Sequence, residues 1–157
     1  MVQVEIPGQA SLHLEHLVLD YNGTLARDGK PLVGVKGLLI ALSKDLRIHV
    51  VTGGTFGDPS PELAGIDLVL DRDLPATGQH EYKLDYAKRL GFERTVCIGN
   101  GRNDRLMLKE AALGIVVIQD EGASVETVSV ADVVCRDIPS ALDLLLNPRR
   151  LTATLRS

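Results

Sequence analysis

The sequence predicts an α/β fold: a doubly wound, Rossmann-like parallel sheet with helices on both faces. Three observations predict it. Short runs rich in Val, Ile and Leu recur along the chain, with helix-like segments between most of them. Within each run successive residues are apolar, as in strands buried on both faces. Four short polar motifs fall at the ends of successive runs, where open α/β sheets bind their ligands.

The elements follow in order. Val2-Gln3-Val4-Glu5-Ile6 alternates apolar and polar residues and meets Pro7-Gly8; Ser11 to Leu14 alternates again. Together they read as a β-hairpin over residues 1–15. Strands are expected at Leu17–Leu19, Ile48–Val51, Leu68–Leu70, Thr95–Ile98, Ile115–Ile118 and Val133–Cys135. Helices are expected at Val35–Leu42 and at Tyr82–Leu90, the latter closed by Gly91 as a carboxyl-terminal cap. A third covers Asp104–Ala112, with Gly114 beyond it. The last runs from Pro139-Ser140 to Leu146, with Leu142, Leu145 and Leu146 on one face and Asn147-Pro148 as the stop. Strands alternating with helices imply right-handed crossovers.

Residues 16–147 thus read as the core and 148–157 as a solvated tail carrying Arg149, Arg150 and Arg156. Only 27 residues separate Thr24 from Thr52, and 30 separate Thr52 from Lys83, too few for an inserted cap domain. The expectation is one capless domain over residues 1–157, with Arg27-Asp28-Gly29-Lys30-Pro31 as a short flap.

Composition narrows the function classes. Apolar residues make up 45% and charged residues 24%, as in ordinary globular proteins. A formal charge of −4 without a clustered basic surface argues against nucleic-acid binding. No apolar stretch reaches membrane-spanning length and no signal-peptide pattern is present, so a cytoplasmic protein is expected. Cys97 and Cys135 sit singly in apolar runs, the place of small buried thiols rather than of zinc ligands. Histidines 13, 16, 49 and 80 lack metal-ligand spacing; the first three read as structural or surface groups, and His80, though near Lys83, is not counted as a site residue.

The first motif, Asp20-Tyr21-Asn22-Gly23-Thr24, delivers a carboxylate at the end of an apolar strand. A carboxylate there can attack phosphorus and form an aspartyl phosphate; the same residues also read as a core strand followed by an Asn-Gly turn. The second strand ends Thr52-Gly53-Gly54. Lys83 lies near the start of a helix, after Gly78-Gln79-His80-Glu81. The fourth strand ends Gly99-Asn100-Gly101-Arg102-Asn103-Asp104. Taken singly, Thr52 is a strand-end turn residue, Lys83 a solvated helix lysine and Asp104 a helix cap.

Jointly, the order and spacing of these motifs resemble the haloacid dehalogenase-like (HAD) hydrolase superfamily. More narrowly they resemble its soluble, capless, P-type ATPase-like phosphatases, together with Leu106-Met107-Leu108-Lys109-Glu110-Ala111-Ala112-Leu113-Gly114. The resemblance covers Leu17 to Leu146. It implies a phosphohydrolase or phosphotransferase with Asp20 as nucleophile and Mg2+ as cofactor. Thr52, Gly53, Lys83 and Asn103 would hold the phosphoryl group. Asp20, the Asn22 carbonyl, Asn100 and Asp104 are the implied metal ligands. Lys83 would supply fixed positive charge to the transferring group.

Two residues depart from the family pattern. Asn22 stands where most HAD phosphatases carry the acid/base Asp, and a carboxamide cannot exchange a proton near neutral pH. Asn100 stands where relatives carry a metal-ligating Asp. Slow turnover and a long-lived phosphoenzyme are therefore expected. The alternative is a catalytically weak or inactive phosphate-binding, regulatory module of the same fold. The expected partner is a small phosphorylated substrate or a phosphoprotein. An uncapped cleft calls for a bulky substrate or a covering subunit, so a homo-oligomer is also an expectation.

Overall fold

The computed structural model describes residues 1–157. A hairpin of β1 (Val2–Val4) and β2 (Leu12–Leu14) precedes β3 (His16–Leu19). The flap pairs β4 (Ala26–Arg27) with β5 (Lys30–Pro31). Its two-residue turn sets Asp28 at φ 50° and Gly29 at φ 81°, the left-handed pair that Asp-Gly turns adopt. Then come α1 (Val35–Leu42), β6 (Arg47–Val51), β7 (Leu68–Asp71), α2 (Gln79–Leu90) and β8 (Thr95–Gly99). The chain continues through α3 (Arg105–Glu110), β9 (Leu113–Val117), α4 (Val125–Val128), β10 (Val133–Cys135), α5 (Ile138–Leu146) and α6 (Pro148–Leu155).

The six core strands are all parallel, in the order β10-β9-β8-β3-β6-β7. From β3 the chain winds outward through β6 and β7, then returns to β8 on the other side of β3. The winding direction therefore reverses between β3 and β8, and a ligand crevice forms outside their carboxyl ends.

Successive strand residues serve two cores. Leu17, Leu19, Ile48, Val50, Val96, Ile98, Ile115 and Val117 pack toward α1, α5, α6 and the hairpin. Val18, Val51, Cys97 and Val116 pack toward α2 and α3 around Ala87, Met107 and Leu108. Cys97 and Cys135 are free buried thiols, and burial pushes both up, keeping them protonated.

Helix α2 starts at Gln79 rather than Tyr82, and β9 runs Leu113–Val117 rather than Ile115–Ile118. The chain departs further from the sequence expectation in three places. The expected tail forms α6, with Pro148 in its first turn and Leu151 fully buried. Proline ends one helix and opens the next because its missing N–H is an orphan at a helix start anyway. Helix α3 stops at Glu110 rather than at Ala112. The chain must descend at once into β9, and a Cβ on Gly114 would lie 2.2 Å from the Leu108 carbonyl oxygen. Finally, α4 falls in a stretch read only as connection. No helix is long and apolar enough to cross a membrane.

Candidate active site

The carboxyl ends of β3, β6 and β8 surround a cleft of about 230 Å³. Asp20, Asn22, Thr52, Gly53, Asn100 and Asn103 all line it, so six of the eight residues singled out in the sequence share one wall. Lys83 and Asp104 lie behind that wall instead.

Asp20 follows β3 directly, its own N–H donating to the Ile98 carbonyl of β8 at 3.1 Å. The loop after it turns sharply. Gly23 takes φ 81°, and the Leu25 and Ala26 amides donate to the Tyr21 carbonyl. Gly23 is needed for space as well as φ, because a Cβ there would lie 2.4 Å from Glu121 Oε2 and 2.6 Å from Asn100 Nδ2. Thr24, fully buried, donates its hydroxyl to Asp20 Oδ2 at 3.2 Å and lies 3.3 Å from Asn100 Oδ1.

Beneath the cleft one ammonium serves two carboxylates. Lys83 Nζ donates to Asp20 Oδ1 at 2.7 Å and to Asp104 Oδ1 at 2.6 Å. The Lys83 and Asp104 side chains have no exposed surface. Burial pushes the Asp20 carboxyl up to about 6; the charge on Asp104 adds to this and the Lys83 ammonium opposes it. Burial alone would depress the Lys83 pKa, but the facing carboxylates, Asp104 first, hold it above the usual lysine range.

Asp104 was expected among the metal ligands. Here its Oδ1 takes the lysine, and its Oδ2 accepts the N–H groups of Asn100 at 3.0 Å and Gly101 at 2.9 Å. A short-range preference decides this: at the third position of the 102–104 helical turn, the carboxylate reaches back to the free amides before the turn, the N3 half of a capping box. The carboxylate thus shapes the Asn100–Gly101 turn and anchors Lys83 rather than facing the cleft. Lys83 in turn meets the cleft only through Asp20.

Thr52 is buried, its hydroxyl accepting the Gly54 N–H at 3.2 Å, while Gly53 is exposed at the rim. Asn103 donates to Gln79 Oε1 at 2.8 Å, which joins the fourth motif to the start of α2. Gln79 and Glu121 line the cleft without having been singled out in the sequence. Gln79 sits in the stretch quoted before Lys83. Glu121 follows β9, in no motif, and its one signal is a place beyond a strand's carboxyl end.

The oxygen-bearing side chains that line the cleft include Asp20, Asn22, Asn100 and Glu121. Asn22 Oδ1 is buried and has no hydrogen-bond partner. A buried acceptor left unpaired costs free energy, and a cation or a ligand donor would satisfy it. An all-oxygen set suits a hard divalent cation.

No protein-family model matches the chain. An uncharacterized protein of Methanocaldococcus jannaschii is 56% identical over 64 residues, 41% of this chain and 69% of that protein. The chain belongs to that protein's family. Among solved structures, 3-deoxy-D-manno-octulosonate 8-phosphate phosphatase from Moraxella catarrhalis, in complex with magnesium, phosphate and KDO, superposes with a TM-score of 0.67. It is 19% identical and the match covers 90% of each chain. The cobalt-bound deoxy-D-mannose-octulosonate 8-phosphate phosphatase of Haemophilus influenzae gives 0.66 at 19% identity, over 92% of this chain and 94% of that one. A Legionella pneumophila protein described as a HAD superfamily (subfamily III A) hydrolase gives 0.60 at 17%, over 90% and 87%. The chain thus shares the Rossmann-like α/β fold of these structures.

Proposed function

We propose that the chain is a magnesium-dependent phosphohydrolase or phosphotransferase that works through an aspartyl phosphate on Asp20. The observation that carries this reading is the seat of Asp20. It lines the cleft at the end of the central strand, gripped from beneath by Lys83 and from the side by Thr24. Such a grip orients a carboxylate for in-line attack. Two of the solved neighbours are phosphatases, one of them holding magnesium and phosphate.

An Asp20 oxygen bonds to phosphorus as the ester P–O bond breaks. Water protonates the leaving oxygen, because Asn22 has no acidic proton to give. Water then attacks the phosphorus, the Asp20–phosphorus bond breaks, and inorganic phosphate leaves. Thr52 and Gly53 sit where they would hold the equatorial oxygens. Lys83 and Asp104 act one step back, fixing Asp20 and the Asn100–Gly101 turn. Magnesium, held by oxygens of Asp20, Asn22 and Asn100, would neutralise phosphate charge. The P-type ATPase-like subgroup, in which a non-acidic residue at position 22 lets the phosphoenzyme persist, remains our narrower assignment.

Loss of a positioned acid–base group costs on the order of 10²–10⁴-fold. Asn22→Asp is therefore expected to raise turnover of small phosphate esters by up to that factor and to shorten acyl-phosphate lifetime. Asp20→Asn is expected to abolish both labelling and turnover. Activity that survives Asp20→Asn rejects the mechanism.

One observation favours a second reading, a phosphate-binding module without turnover: no carboxylate stands at position 22 or 100 of the cleft. Magnesium-dependent beryllofluoride binding with no detectable labelling would select it.

A further inference from the structure

We infer that Glu121 supplies the cation site with the carboxylate that position 100 lacks, and that Asn100 holds Glu121 in place. The inference rests on the reading of the cleft as a divalent-cation site and adds a ligand outside the four sequence motifs.

The charge balance comes first. Asp20 is the one motif carboxylate facing the cleft, and its charge is offset by an ammonium that it shares with Asp104. Asn22 and Asn100 offer only neutral oxygens. A dication there gains little from such a set, since each further anionic oxygen strengthens a hard-cation site.

Glu121 provides one. It lines the same cleft, and its Oε2 lies 2.4 Å from the point where a Gly23 Cβ would sit. Asn100 Oδ1 lies 2.9 Å from that same point, so the two groups meet over Gly23 at the mouth of the nucleophile loop. Glu121 makes no ion pair or hydrogen bond with any other side chain. By contrast, its neighbour Asp120 is engaged by Arg27 at 2.6 Å.

The loop that carries Glu121 is tied down on both sides. Gln119 Nε2 donates to the carbonyls of Gly23 at 3.1 Å and Thr24 at 2.8 Å, while its Oε1 accepts the Ile138 N–H at 2.9 Å. Asn100 Nδ2 donates to the Gly122 carbonyl at 3.0 Å. An aspartate at position 100 could not make that last bond and would set its charge against a carbonyl oxygen. The amide at 100 and the acid at 121 are therefore coupled: one gives up charge to hold the loop that returns it.

Magnesium titration calorimetry on the full chain tests this, with Glu121→Gln and Asp20→Asn as variants. Glu121 is exposed and unpaired, so Glu121→Gln is expected to keep the melting temperature measured in chelator. It is expected to weaken magnesium binding on the order of 10–100-fold. Affinity within about twofold of the parent, while Asp20→Asn loses binding, overturns the role of Glu121 and leaves the cation site standing. Unchanged affinity in Asp20→Asn as well would instead reject the cation site itself.

Discussion

Helix α2 crosses the sheet and meets a buried polar group near each end of β3, and the two meetings differ in charge. At the carboxyl end, Lys83 joins Asp20 and Asp104 in a buried triad. At the amino end, one helical turn further on, the Tyr86 hydroxyl lies 2.9 Å from His49 Nδ1, and His49 Nε2 lies 3.2 Å from His16 Nδ1. Burial, then the charges of His16 and Arg47, pulls the His49 pKa down to about 4; burial, then Arg94, lowers that of His16. The amino-end chain is therefore neutral near pH 7, while the triad carries two negative charges against one positive. A fold that only needed to satisfy buried polar groups could use the neutral arrangement at both ends. Uncompensated negative charge is kept at the end where Asp20 lines the cleft.

The widest break in this contrast is Lys83→Met. Removing the cation leaves two carboxylates buried together, and breaking such a pair costs about 3–5 kcal/mol. Urea unfolding at pH 8 should show that loss; one under about 1 kcal/mol would mean the triad does not hold its charge in the fold.

Asp20→Asn sharpens the contrast next. Because the folded pKa of Asp20 lies above the ordinary 3.8, the folded state holds the extra proton between about pH 4 and 6. Stability contributed by that proton is present below pH 4 and lost as pH rises through 6. The asparagine variant should escape this loss and gain roughly 2–3 kcal/mol over the parent at pH 8 in chelator. Parallel stability–pH curves for the two proteins would contradict it.

At the other end the sign reverses. His49 is depressed from 6.5 to about 4, so over that window the unfolded chain holds the extra proton. Its contribution is present above 6.5 and lost as pH falls through 4. His49→Phe should flatten the acid limb of the stability curve, in the direction opposite to Asp20→Asn. The smallest effect is expected for Tyr86→Phe, about 1 kcal/mol at pH 7 from one unpaired histidine nitrogen. A stability gain there would show that the hydroxyl is not bonded as described.

Much of this was legible in the sequence, and what was not shares a physical cause. Apolar runs announced the strands because burial on both faces leaves a continuous signal. Motifs announced Asp20, Thr52 and Asn100 because strand ends carry ligands. Asp104 looked like a metal ligand because residue type does not reveal which partner is nearer; two backbone amides and Lys83 are. The histidine chain was hidden because His16 and His49 lie far apart in sequence and meet only through the register of β3 with β6. Helix α6 was hidden because Asn147-Pro148 reads as a stop and serves equally as a start. Glu121 was hidden because its loop owes its position to side-chain bonds from Gln119 and Asn100, which no local pattern encodes.

The grip of Asp104 on the Gly101 amide has a consequence for how the protein ages. Asn-Gly dipeptides deamidate when the glycine nitrogen turns on the preceding carboxamide and closes a succinimide ring. In the folded chain the Gly101 N–H is bound to Asp104, and the Gly23 N–H is bound to the Ala26 carbonyl at 2.8 Å. Both asparagines of the cleft are therefore shielded from that reaction while the fold persists. Storage conditions that loosen it would convert the two positions to a mixture of aspartate and isoaspartate.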